Sequence, residues 1–135
     1  MNQLTGHIKE IISSGQMSIV TIQLAGQVEM QSLVIDTPAS APYLKEGTPI
    51  QVLFKETETI IGTAGHSGLS IENRISGKIL EIKKGKLLSR LSINTSCGNL
   101  VALISSTSAV LEALTPGMTI TAMVKSNEVI LAPLA

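Results

Sequence analysis

The sequence predicts a mainly all-β protein: two small OB-like five-stranded β-barrel units, each with one short helix. Three observations lead there. Apolar residues alternate with polar ones in short runs rich in Ile, Val and Thr, as half-buried strands require. Turn residues punctuate those runs: Ser14-Gly15, Ala25-Gly26, Lys84-Gly85 and Cys97-Gly98-Asn99. The whole pattern occurs twice, and five short strands with one helix in a unit this small suit a compact barrel.

The repeat is visible in the residues. Asn2-Gln3-Leu4-Thr5-Gly6-His7-Ile8-Lys9-Glu10-Ile11 returns as Asn73-Arg74-Ile75-Ser76-Gly77-Lys78-Ile79-Leu80-Glu81-Ile82. Asn, an aliphatic, a hydroxyl residue, Gly, Ile, Glu and Ile keep one register. Leu44-Lys45-Glu46-Gly47-Thr48-Pro49-Ile50 returns as Leu114-Thr115-Pro116-Gly117-Met118-Thr119-Ile120. Lys55 matches Lys125, Glu58 matches Glu128, and Ile60-Ile61 matches Ile130-Leu131. The units are expected at 1–62 and 72–135. A linker at 63–71 lies between them, Gly-rich from Gly62 to Gly68.

In the first unit the expected strands are Ile8–Ile11, Met17–Leu24 and Ile50–Phe54. In the second they are Leu87–Ile93, Leu100–Ile104 and Ile120–Val124. One helix is expected at Thr107–Leu114, capped by Ser106 or Thr107. Its counterpart in the first unit contains Pro38 and Pro42 and should be distorted.

Composition narrows function. The 135 residues carry 10 Lys and Arg against 10 Asp and Glu, with no Trp, one Tyr, one Phe and one Cys. A neutral chain lacks the excess cation that displaces counterions from nucleic acid, and it lacks aromatics for base stacking. One Cys excludes an internal disulfide framework or a Cys-rich zinc site. His7 and His66 leave little for a His-based metal centre and read as surface residues. No apolar run is long enough to cross a membrane, and MNQLTGHIKE lacks a signal pattern. A cytoplasmic protein with no membrane or nucleic-acid partner is expected. A core with one Phe must be aliphatic and thin, and a 44% apolar share with 15% charge favours burial through oligomerisation.

The second unit resembles the Mop, or molbindin, domain of the wider TOBE group. The segments carrying the resemblance are Ser70-Ile71-Glu72-Asn73-Arg74-Ile75-Ser76-Gly77 and Gly77-Lys78-Ile79-Leu80-Glu81-Ile82-Lys83-Lys84-Gly85. Ile104-Ser105-Ser106-Thr107-Ser108, Leu114-Thr115-Pro116-Gly117 and Val124-Lys125-Ser126-Asn127-Glu128-Val129 follow in the family's order. The first unit carries the same pattern more faintly, so the chain looks like a tandem molbindin.

The resemblance implies binding of molybdate or tungstate at domain or subunit interfaces, for molybdenum storage or homeostasis. It also implies a homo-oligomer, expected to be a trimer, and no catalysis. No helix-turn-helix segment and no phosphate loop ending in Gly-Lys-Ser/Thr is present, which favours a free-standing binding protein. The family's oxyanion positions map onto Ser70, Glu72, Asn73, Ser105, Ser108, Lys125 and Ser126, with Lys55 in the first unit. Hydroxyls, backbone N–H groups and a Lys suit a tetrahedral dianion without a metal.

Departures matter. Glu72 stands where the family has Arg, and its charge opposes an anion unless it points away. Arg74, two residues on, is a candidate compensating cation. In the first unit Ile35 and Pro38 stand where Ser105 and Ser108 do, and Glu56 replaces Ser126, so its site reads as degenerate. Plainer roles stay open: Ser105, Ser106 and Ser108 as helix caps, Lys125 as a solvated Lys, Lys78, Lys83, Lys84 and Lys86 as a solvated basic hairpin, and Cys97 as a bystander in a turn. The competing function is a protein-interaction or sensor module whose oxyanion site is lost.

Overall fold

The computed structural model describes residues 1–63 and 68–134. Among the described residues, ten strands form two five-stranded antiparallel sheets. The strands are β1 (Asn2–Ser14), β2 (Met17–Leu24), β3 (Glu29–Val34), β4 (Pro49–Phe54), β5 (Ile60–Gly62), β6 (Asn73–Lys83), β7 (Leu88–Thr95), β8 (Gly98–Ser105), β9 (Thr119–Val124) and β10 (Ile130–Pro133). The first sheet runs β10-β4-β1-β2-β3 and the second runs β5-β9-β6-β7-β8.

The two sheets are built alike. β1 pairs with β2 through a bulge between Ile8 and Glu10, and β6 pairs with β7 through a bulge between Ile79 and Glu81. Each bulge lets one long strand serve two partners: its first half faces β4 or β9, and its second half extends into a hairpin. The repeated glycines have a steric cause. A Cβ on Gly6 would stand 2.2 Å from the Gln23 carbonyl oxygen, and one on Gly77 2.6 Å from Ile93 Cγ2. Gly47 and Gly117 turn the chain into β4 and β9 with φ of 87° and 88°, a region open to glycine. Their N–H groups donate to the carbonyls of Ile8 and Ile79, both at 2.7 Å.

The outermost strands are exchanged. β5 follows β4 in sequence but pairs with β9, Ile60 opposite Met123. β10 follows β9 but pairs with β4, Ile130 opposite Leu53. Sheet membership therefore does not follow the sequence boundary at 62. A single apolar cluster draws on both sheets: Leu4, Ile8, Ile22, Val52 and Phe54 from one, Ile79, Leu91, Ile93, Leu100 and Ile120 from the other. Phe54, the one Phe, is 1% exposed.

Two expectations need correction. The sheets stay open rather than closing into barrels, with β3 and β10 as the edges of one and β5 and β8 as the edges of the other. The edges are covered instead by the opposite unit's turns: Glu56–Glu58 packs on β8, and Ser126–Glu128 packs on β3. The second correction concerns helices. In the second unit the expected helix is a 3-10 segment, Ala109–Ala113, and in the first unit the Pro-containing stretch forms turns only. Proline restricts its own φ and its neighbour's conformation, which excludes a helical run there. Part of the expected linker, His66 included, lies outside the described residues.

Candidate functional site

Asn73 opens β6 and is 1% exposed. Its Oδ1 accepts from the Gln31 N–H at 2.7 Å, and its Nδ2 donates to the Gln31 carbonyl at 2.9 Å. The amide thus copies one rung of a β-ladder onto β3 of the other sheet. Asn2 does the same on β8: Oδ1 accepts from Val101 N–H at 2.8 Å, and Nδ2 donates to the Val101 carbonyl at 2.9 Å. A second Asn2 bond reaches Thr59 Oγ1 at 3.2 Å. The repeated Asn is therefore a clamp between sheets. Its polar groups are satisfied by backbone, as buried amides must be.

Glu72, just before this clamp, is exposed and points at the Lys125–Ser126 turn. The Ser126 backbone N–H donates to Glu72 Oε1 at 3.2 Å. The carboxyl is held below the usual glutamate range. The Ser126 side chain is the largest cause, its backbone N–H and the Lys125 charge add to it, and partial burial opposes them. The turn itself is fixed by the Lys125 carbonyl, which accepts from Glu128 N–H at 3.0 Å, and by its packing on β3. Nearby, Ser32 Oγ donates to the Val129 carbonyl at 2.8 Å.

The first unit has the same Lys-containing turn, with a carboxylate where the second unit has Ser126. The Lys55 carbonyl accepts from Glu58 N–H at 3.1 Å and from Thr59 Oγ1 at 3.1 Å. Glu56 stands at the Ser126 position, and its Oε2 lies 3.5 Å from the Met1 amine. Here a carboxylate occupies the turn and a cation approaches it. In the second unit an N–H and a Lys meet an approaching carboxylate.

The remaining hydroxyls lie elsewhere. Ser105 ends β8, opposite Leu88, at the far end of β6 from Asn73. At about 3.3 Å per residue, β6 separates those ends by roughly 30 Å. Ser105 Oγ bonds Thr107 Oγ1 at 2.8 Å. Ser106 Oγ donates to the Gly85 carbonyl at 2.7 Å and bonds Ser89 Oγ at 2.8 Å, which stitches this loop to the Lys83–Lys86 hairpin. Ser108 is half-buried and precedes Ala109–Ala113 without a side-chain capping bond, so the capping role expected for it is not observed. Within one chain Ser70, Glu72, Asn73, Lys125 and Ser126 share one end, whereas Ser105 and Ser108 share the other. Lys55 is exposed on the turn that packs against β8.

Sequence reasoning missed the partners on β3. A cleft of about 320 Å3 is lined by Lys9, Glu10, Thr21, Glu29, Gln31, Glu72 and Asn73. Lys9 Nζ pairs with Glu29 Oε1 in this cleft. Residues of both units line it, so no local spacing announces it. Arg74, expected as a compensating cation, donates to the Leu69 carbonyl at 2.8 Å and the Ile71 carbonyl at 3.1 Å. It braces the entry to β6. Cys97 is half-buried beside Thr95. Among the described residues no group of three His, Cys, Asp or Glu is placed to hold a metal, and no helix is long and apolar enough to cross a membrane.

The TOBE domain matches twice, over residues 1–61 and 69–131. The chain belongs to the TOBE-domain family. This TOBE-domain chain is 29% identical over 115 residues to the molybdenum-pterin-binding protein MopB of Rhodobacter capsulatus. That alignment covers 84% of this chain and 43% of MopB, so the chain spans less than half of that relative's length. Its fold is that of the cytoplasmic molybdate-binding protein ModG, in a crystal form with molybdate bound. The TM-score is 0.88 at 21% identity, over 98% of this chain and 96% of ModG. The shared fold thus runs along almost the full chain.

Proposed function

We propose that this TOBE-domain chain binds molybdate, without catalysing a reaction, in molybdenum storage or homeostasis. Tungstate, a near isostere, is the second ligand. One observation carries the reading. The Lys125–Ser126 turn presents a backbone N–H and an ammonium in one place, and it already holds a carboxylate there. A group that holds one oxyanion can hold another. The names of MopB and ModG, molybdenum-pterin-binding and molybdate-binding, support the choice of ligand.

The sites are proposed to lie at interfaces between copies. Ser105 and Ser108 sit too far from Lys125 and Ser126 in one chain to share a small ion. A homo-oligomer, expected to be a trimer, would bring the two sets together from neighbouring protomers. Ser70 is exposed beside Glu72 and belongs to the Lys125 set. The division into units 1–62 and 72–135, with the first degenerate, belongs to this proposal: Glu56 puts a carboxylate on the turn itself, at the position Ser126 holds in the second unit.

Differential scanning measurements with molybdate and with sulfate test it. A ligand that binds only the folded protein stabilises it by mass action, about 2.7 kcal/mol at a hundredfold excess over Kd. The expected outcome is a rise in Tm with molybdate that is larger than with sulfate. Lys125→Ala and Ser126→Ala should shrink the rise, whereas Lys45→Ala, on an exposed turn, should leave it unchanged. The second reading, an interaction module with a lost site, is favoured by the carboxylate of Glu72 in the turn. It requires a Tm indifferent to every oxyanion.

A further inference from the structure

The one acidic residue in the expected oxyanion set points into the set rather than away from it. Glu72 is acidic, and its carboxylate accepts the Ser126 N–H at 3.2 Å beside the Lys125 side chain. Carboxylates and oxometallates compete for the same donors, because both are met by N–H and hydroxyl groups aimed at negative oxygen.

We propose that Glu72 is a built-in competitor: its carboxylate occupies the oxyanion position at Lys125 and Ser126, and an incoming tetrahedral dianion binds by displacing it. The inference rests on the proposed oxyanion function and adds its selectivity device. A dianion has the charge and the additional oxygen atoms to outcompete one tethered carboxylate. A monoanion meets a site that is already filled.

Two features support displacement, and a third sets its cost. Glu72 is an exposed side chain held at its tip, so its departure breaks no packing. The cleft of about 320 Å3 on its other side gives it room to swing. That cleft also contains Glu10 and Glu29, the latter paired with Lys9, so a displaced Glu72 meets like charge there. Displacement therefore has a cost, and removing the Glu72 charge removes it.

The test is isothermal titration of the full chain with sodium molybdate at neutral pH, for the wild type, Glu72→Gln, Glu72→Ala and Glu46→Gln. Glu46 is exposed in a turn away from the site and controls for net charge. Both Glu72 variants should bind about tenfold more tightly, and Glu46→Gln should match the wild type. Binding by Glu72→Gln where the wild type shows none supports the proposal in its strongest form. Binding by the wild type with unchanged or weaker binding by both Glu72 variants overturns it and leaves the oxyanion function standing. Binding by none of the four removes the oxyanion function, and the competitor with it. Circular dichroism melts without ligand establish that each variant is folded.

Discussion

At the scale of single residues, the repeated motif separates into parts with different duties. Gly6 and Gly77 admit a neighbouring strand at a distance no Cβ tolerates. Asn2 and Asn73 join the sheets. Glu72, the residue before Asn73, faces the Lys125–Ser126 turn and accepts the Ser126 N–H. Glu72 links this site to pH. Its carboxyl ionises below the ordinary glutamate value of 4.5 in the folded protein. Between those two values the unfolded chain binds more protons than the folded one, so stability rises with pH there. The contribution is present above the ordinary value and is lost as pH falls through the folded value. Urea unfolding between neutral pH and pH 3 should show Glu72→Gln losing less stability on acidification than the wild type. The difference should be small, because the group is exposed and solvent screens it.

At the scale of elements, the edges explain the clamps. β3 and β8 are edge strands in their own sheets, yet each meets an Asn amide and a short turn from the opposite unit. Replacing Asn73 with Ala leaves the Gln31 N–H and carbonyl without their partners. A cost of about 1–3 kcal/mol is expected. Asn2→Ala should cost a similar amount, and the pair should be close to additive because different strands are involved. Chemical denaturation of the three variants measures this. β3 carried no clear strand signal in the sequence, since Glu29-Met30-Gln31-Ser32-Leu33-Val34 alternates only in part and its partners lie in distant segments. β2, with Met17–Leu24 correct at both ends, was legible because its alternation is local and bounded by turn residues. The helices were less legible: the apolar spacing at Thr107–Leu114 is compatible with a helix, but only Ala109–Ala113 is wound, as 3-10.

At the scale of the molecule, the exchanged strands make the two sheets interdependent. β10 closes the first sheet from the end of the second unit, and β5 does the reverse. Removing 130–134 should therefore damage the first sheet. It strips the ladder from β4 and exposes an unpaired edge, at a cost on the order of a few kcal/mol. Because one apolar cluster spans both sheets, the shortened chain should unfold in a single transition at lower denaturant, followed by circular dichroism. Loss of one half while the other survives would contradict the shared core.

The sequence by itself determined the duplication, the β character, most strand positions and the family. Each of these is written in local periodicity and in residues whose spacing repeats. It also put forward Lys125, Ser126 and Glu72 as candidates for the proposed site. Only the tertiary structure decided that β5 and β10 trade places, that the sheets remain open, and that the repeated Asn is a clamp. It alone decided that Glu72 turns toward Ser126, and that Ser105 and Ser108 lie at the opposite end of β6. The physical reason is common to all of them. Backbone pairing and side-chain direction across units are settled by which edges need partners, and a chain read in order does not say which distant edge will supply them.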